Sequence, residues 1–372
     1  MYIPRLLENR IKEYINLDKA IVILGARQTG KTTLIQNLAS ELKNYLYIDC
    51  DDPTERLLLE EANAERLKNI FSGYKYVFID EIQRVKNIGI TLKLIVDRIK
   101  NIKVVVSGSS SFNIYSALEE PLTGRKWEFE LYPLLWRELQ NKFGLLSQLK
   151  LLNQRLILGM YPEIVVREQK KEEALKTLVK SYLFKDVLAF KGIRKSEYIE
   201  KLTVALALQT GNQVSYLELS RLVGIDKNTV EKYIDLLEKS YIIFRLPSFQ
   251  NNPRTELKKA KKIFFWDTGV RNAIINDLRD VSLRQDVGHL WENFFIAEKI
   301  KLAHTLGKDC KYYFWRTKNQ QEVDLVEVCG KEINAYEIKW NERKARFSAK
   351  FKELYPQAKT FVITPDNFYE YL

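Results

Sequence analysis

Apolar residues come along this chain in two rhythms, one of period two and one near period 3.6. In the first third, short apolar runs read as strands: the start of "AIVILGARQTGKTTLIQNL", "NYLYIDCDD", the apolar run of "YVFIDEIQ", "KVVVSGSSSF" and "GRKWEFELYPL". Helical spacing follows the first of them and recurs near 53–70 and 89–100. Strand–helix–strand alternation implies a parallel sheet with helices on both faces, so the fold class is α/β. From about 136 to 210 the pattern is helical, with "LLSQLKLLNQRLIL" and "EALKTLVKSYLFKDVLAF" as its clearest stretches. Residues 213–249 read helix, turn at Gly224, helix, then the β-like run "YIIFRLPSF". The end of the chain predicts a helix over "DVGHLWENFFIAEKIKLAHTLG", a hairpin over "KYYFWRTKNQQEVDLVEVCG" and a strand over "INAYEIKW". In that strand Glu337 and Lys339 point to one face.

Chemistry enters at the end of the first strand. Gly25-Ala26-Arg27-Gln28-Thr29-Gly30-Lys31-Thr32, followed by Thr33, fits the GxxxxGK[ST] phosphate-binding pattern, with a strand before and a helix after. Glycines let the backbone wrap phosphates, and the N–H groups at the helix start point at the anion. Lys31 is expected on the β- and γ-phosphates and the Thr32 hydroxyl on Mg²⁺, with ATP as the nucleotide. Asp80, closing "YVFID", is placed to hold Mg²⁺ through water. Glu81 beside it is the candidate base that polarises the attacking water. Ser107 and Ser109 could sense the γ-phosphate or cap a loop. Arg125 is the candidate arginine finger, in cis or on a neighbouring subunit, with an ordinary surface arginine as the competing account.

These motifs, with "FIDEIQ", "SGSSSF", "LTGRKWEFELYPLLWREL" and "LGMYPEIV" in that order, resemble the archaeal-type AAA-plus-related ATPases. The resemblance implies a P-loop ATPase core over residues 1–135, a helical lid over 136–210 and a winged helix over 211–255. A C-terminal domain follows over 256–372.

In the 213–249 segment Asp226 caps the second helix, while Val230, Ile234 and Leu237 recur at helical spacing. Lys227, Asn228, Thr229 and Lys232 face outward and can touch phosphates and base edges. Glu231 and Asp235 on the same helix weigh against that, and such modules also pack on protein neighbours.

In the last domain a helix carries Glu292, one hairpin strand Asp324 and the next strand Glu337 and Lys339. Three carboxylates and one ammonium can therefore converge. Such acids repel one another without a cation, which suits one or two Mg²⁺ or Mn²⁺ ions. Lys339 would orient water or steady leaving charge. This arrangement resembles the PD-(D/E)xK nuclease core, a restriction-endonuclease-like α/β fold, with Val323 where the namesake proline would stand. A surface Glu–Lys pair, or a nuclease fold kept for binding alone, are the competing accounts.

Composition changes the picture at three points. The chain has 372 residues and a net charge of +12. Lys and Arg outnumber acids by 19 to 18 up to residue 135 and by 41 to 30 beyond it. That excess suits a polyanion, most simply DNA, although a Lys/Glu-rich surface of a heat-adapted protein also fits. Two histidines leave carboxylates as the metal ligands. Cys50, Cys310 and Cys329 stand far apart, which argues against a disulfide framework and for a reducing, cytoplasmic setting. No apolar run approaches a bilayer span and no secretory signal opens the chain, so no membrane is expected. A homo-oligomer is left open. The expectation is an ATP hydrolase whose nucleotide state controls DNA binding and DNA cleavage by the last domain. The alternatives are a switch whose last domain binds without cutting, and a chaperone-like ATPase directed at protein.

Overall fold

The computed structural model describes residues 1–109, 117–180, 196–249, 261–341 and 347–372. They divide into two compact units, Met1–Pro133 with Lys239–Tyr241, and Leu134–Glu238 with Ile242–Leu372.

The first unit is built on five parallel strands in the order β2-β3-β4-β1-β5. These are β1 (Ala20–Gly25), β2 (Tyr45–Asp49), β3 (Tyr76–Asp80), β4 (Lys103–Ser109) and β5 (Lys126–Glu130). Both β1 and β3 are buried along their whole length, as near-continuous apolar runs require in a sheet covered on both faces. Alternate residues feed two cores. Val22, Leu24, Val77 and Ile79 pack towards Leu92 and Ile95 of the helix Ile88–Arg98. Ile21, Ile23 and Phe78 pack towards Leu34, Ile35 and Leu38 of the helix Lys31–Ser40.

In the second unit the helices Leu152–Leu158 and Lys171–Leu178 pack on the helix Thr268–Ile274. The "LGMYP" stretch explains part of that joint. Gly159 has φ +73°, and a Cβ there would meet Asp267 Oδ1 at 1.9 Å. The buried Asp267 accepts from Met160 N at 2.7 Å and from Val270 N at 3.0 Å, so one carboxylate caps a helix and fastens the glycine turn. Residues 181–195 of the predicted helical run lie outside the described residues.

After the helix Ser196–Leu208 come β6 (Gln213–Val214), the helices Tyr216–Val223 and Lys227–Lys239, β7 (Ile243–Leu246) and β8 (Lys261–Phe265). The strands form an antiparallel sheet in the order β6-β8-β7. Gly224, at φ +80°, ends the first helix of the pair, and Asp226 caps the second by accepting from Thr229 N at 2.9 Å. Residues 250–255 of the expected winged segment lie outside the described residues.

The last sheet is mixed, in the order β12-β11-β10-β9. Strands β9 (Cys310–Arg316), β10 (Glu322–Cys329) and β11 (Glu332–Ile338) run antiparallel, and β12 (Lys359–Ile363) lies parallel to β11. The helix Val287–Leu306 sets Phe295 against Tyr336, and the helix Ala349–Leu354 sets Phe351 against Trp315.

The cysteine reading is corrected here. Cys310 opens β9 and Cys329 closes β10, and the antiparallel register places them opposite each other. Their Cα atoms are 4.3 Å apart and the sulfurs are bonded. Cys50 is a free thiol, pushed up to about 12 by burial and by the neighbouring Asp49. No helix among the described residues is long and apolar enough to cross a membrane.

Candidate functional site

Two groups of residues carry chemistry, one in each unit. The first lies at the carboxyl ends of the parallel strands, where ligands bind in open α/β sheets. Gly25 closes β1 against the β5 side, where a Cβ would meet Leu131 O at 2.2 Å, so the loop entry tolerates only glycine. Ala26, Arg27, Gln28 and Thr29 form the loop, with Gln28 at φ +58°. Gly30, at φ +93°, starts the helix that begins with Lys31, Thr32 and Thr33. Thr29 Oγ1 donates to Ala26 O at 2.9 Å. Lys31 Nζ donates to Gly25 O at 3.0 Å and to Ala26 O at 2.7 Å, which keeps the ammonium at the mouth of the loop. Arg5 braces the loop from behind, donating to Thr29 O and to Tyr132 O, each at 2.7 Å.

Asp80 ends β3, and Ser107 comes beside it from β4 because Ile79 pairs with Val106. The buried Asp80 carboxylate accepts from Tyr47 OH at 3.0 Å, from Glu81 N at 3.0 Å and from Ser107 Oγ. Three donors fix its rotamer. Glu81 sits in the left-handed region at φ +54°, and Gln83 donates to its carboxylate. Burial raises its pKa, while the Lys31 ammonium opposes the rise. Ser109 N donates to Gln83 Oε1 at 3.0 Å.

Arg125 does not join this group. Its carbonyl accepts from Ala20 N at 3.0 Å, at the amino end of the sheet, and its Nε pairs with Asp97 at 2.7 Å. A six-residue strand separates it from the P-loop of the same chain, so the expectation of an arginine finger in cis is corrected.

The second group lies in the second unit. Leu325 pairs with Tyr336, so the next residues along, Asp324 and Glu337, come side by side. Between Val323 and Val326 the β10–β9 register shifts, a bulge that re-aims the side chains around Asp324. Asp324 Oδ2 accepts from Ile338 N at 2.7 Å and from Lys339 Nζ at 3.0 Å. The same ammonium lies 2.7 Å from Glu337 Oε1. The other Glu337 oxygen, Oε2, is buried with no hydrogen-bond partner among the described residues. Glu292, on the helix Val287–Leu306, comes to the same place and accepts from Lys262 Nζ at 2.8 Å. Thus Glu292, Asp324, Glu337 and Lys339 line one cavity of about 910 Å³, together with His289, Arg316, Glu322 and Trp340.

Electrostatics divide the acids. Burial and the Asp324 charge push Glu337 up to about 7, against the pull of Lys339. Asp324 is raised as well, by burial and by Glu292. Glu292 is lowered, because Lys262 and His289 outweigh its burial.

Two members were not singled out in the sequence. Glu322 lies two residues before Asp324, and that period of two in "EVD" is a signal that could have found it. Lys262 lies 30 residues before Glu292 on a strand of a different sheet, and no spacing in the chain announces the meeting.

The first site defines a P-loop nucleotide-binding domain. Residues 17–140 match the model of the family described as AAA domain, so the front of the chain is a P-loop ATPase domain, with ATP and Mg²⁺ as its general cofactors. Residues 149–280 match Domain of unknown function (DUF8612), and residues 287–371 match Domain of unknown function (DUF4143). Among relatives, the chain is 26% identical to "Uncharacterized protein Rv2008c" of Mycobacterium tuberculosis, over 89% of this chain and 72% of that one. It is 24% identical to an "Uncharacterized protein" of Haemophilus influenzae, over 95% and 93%. Among solved structures it is similar to the Walker-type ATPase PABY2304 of Pyrococcus abyssi. That match has a TM-score of 0.50 and 16% identity, over 73% of this chain and 96% of the other, and shows a shared fold.

Proposed function

We propose that this chain couples ATP hydrolysis in its first unit to DNA engagement, and to metal-dependent DNA cleavage, in its second. The observation that carries the reading is the convergence of Glu292, Asp324, Glu337 and Lys339 on one cavity, with a buried Glu337 oxygen that has no hydrogen-bond partner among the described residues. A buried polar atom left unsatisfied costs roughly 1–3 kcal/mol, and a divalent cation is the ligand that would satisfy a carboxylate here. Asp324, Glu337 and Glu292 are the residues that fit Mg²⁺ or Mn²⁺. Such an ion, when bound, supplies a Lewis acid and lowers the pKa of a bound water.

The chain's own groups do the positioning. Lys339 spans Asp324 and Glu337, so its ammonium fixes the spacing of both carboxylates and can meet charge on a scissile phosphate. Ile338 N locks the second Asp324 rotamer contact. Arg316 on the cavity wall offers a fork suited to a phosphodiester.

The helix pair, with the antiparallel β6-β8-β7 strands around it, supports reading this segment as a winged helix. Lys227 and Asn228 are exposed at the start of its second helix, where phosphate contacts form. Asp235, which weighed against DNA, pairs with Arg245 at 2.7 Å, so its charge is largely answered within the fold.

In the first unit, Lys31 would meet the phosphates, Thr32 and Asp80 would hold Mg²⁺, which when bound answers phosphate charge, and Glu81 would serve as the base for water. Arg125 could serve only a neighbouring copy. A switch that binds without cutting is the second reading, favoured by Lys262 and Lys339, which already answer much of the acidic charge.

The test is cleavage of end-labelled linear, single-stranded and four-way-junction DNA with Mg²⁺ or Mn²⁺, with and without ATP. Cleavage absent from Asp324→Ala and Lys339→Ala supports the nuclease reading. ATP turnover with tight DNA binding and no cleavage in either metal transfers the assignment to the switch.

A further inference from the structure

The acids of the second site surround a lysine that their proposed function does not use. Lys262 is the second residue of β8, and its side chain is 3% exposed. Its Nζ lies 2.8 Å from Glu292 Oε1 and also pairs with Glu322 Oε1. Glu292, Glu322 and Asp324 each present an oxygen, and these oxygens lie within 4.8 Å of one another. Oxygens that close suit one shared cation. An ammonium is a compact point charge with three donors, so it can serve such a cluster.

A lysine buried this deeply needs its charge answered, and two carboxylates answer it here: Glu292 at 2.8 Å and Glu322 beside it. A second observation points to a ligand at the same cavity: Glu337 Oε2, on a side chain only 8% exposed, has no hydrogen-bond partner among the described residues.

We propose that Lys262 is the resident counter-cation of this site: its ammonium takes the position between Glu292, Glu322 and Asp324 that a divalent metal ion would take, and the metal loads by displacing it. This rests on the metal-site reading above and deepens it, adding Lys262 and Glu322 to the site. Lys262 lets the acids pack without metal, because uncompensated buried charge is strongly destabilising. It also weakens metal binding, since each ion must exchange with a hydrogen-bonded ammonium. Lys339 differs, because it bridges Asp324 and Glu337 without contacting Glu292 or Glu322 among the ion pairs of the described residues.

The experiment is calorimetric titration of Mn²⁺ into the full-length protein without nucleotide. Wild type, Lys262→Met, Lys262→Arg and Asp324→Asn are compared. Lys262→Met keeps the unbranched apolar stem of the side chain without its ammonium and is expected to bind Mn²⁺ at least about tenfold tighter than wild type. Lys262→Arg keeps the charge and gains nothing, and Asp324→Asn loses the site. Equal or weaker binding by Lys262→Met, with Asp324-dependent binding intact in wild type, overturns the Lys262 inference alone. No Asp324-dependent binding in either protein overturns the metal-site reading and this inference with it. Should Lys262→Met fold poorly without metal, its melting temperature is followed as Mn²⁺ is added. A larger rise than in wild type supports the proposal, and an equal or smaller rise overturns it.

Discussion

Single side chains here are set by what lies beside them rather than by their own type. Lys31 is a P-loop lysine whose ammonium is held by two loop carbonyls. Lys31→Ala removes the charge proposed to meet the β- and γ-phosphates, and ATP turnover should fall by at least about 10²-fold in a steady-state phosphate-release assay. Unchanged turnover would refute the assignment. Glu337 supplies a pH dependence. Its folded pKa is near 7, above the ordinary 4.5, because of burial and Asp324. An acid raised on folding costs stability when it ionises. That cost is absent below the ordinary value, grows as pH rises towards about 7 and is constant above it. Glu337→Gln, compared with wild type by urea unfolding in EDTA, should therefore gain relative stability between about pH 4.5 and 7. A difference independent of pH would contradict the shift.

At the scale of elements, turns and registers decide which residues meet. Gly159 permits Asp267 to cap one helix and hold Met160 N at once. Gly159→Ala adds a Cβ at positive φ into that carboxylate and should cost about 2–4 kcal/mol, read as a lower urea midpoint at unchanged slope. The strands that place Gly25, Asp80 and Asp324 were legible because buried strands and alternating strands leave strong patterns. The turn at Gly224 and the cap at Asp226 were legible for a similar reason, since each has a local cause. The Cys310–Cys329 pair was not, because a hairpin's register is settled by pairing across 19 residues rather than by neighbours. Lys262 was hidden for the same reason: its partner acids lie on a helix and a strand of another sheet. Arg125 misled because a motif residue was placed by its sequence neighbours, while the parallel strand beside Ala20 carries it to the other end of the sheet.

For the molecule as a whole, the charge imbalance acquires a place. The second unit and its cavity lie in the part of the chain with 41 basic against 30 acidic residues. If DNA is the partner, affinity should fall steeply with salt, by about 0.9 in log K per log salt for each duplex phosphate neutralised. Lys227→Ala should flatten that slope by about one phosphate without altering ATP turnover, as read by fluorescence anisotropy between low and moderate salt. Binding indifferent to salt would favour a protein partner.

The bond between Cys310 and Cys329 joins the ends of β9 and β10 that lie away from their connecting turn at 317–321. Two links, peptide at one end and sulfur at the other, turn the hairpin into a closed ring that contains both Glu322 and Asp324. A protease cut within the turn would then open the ring without dividing the molecule. The nicked chain would run as one species on a denaturing gel and as two fragments only after a reductant is added.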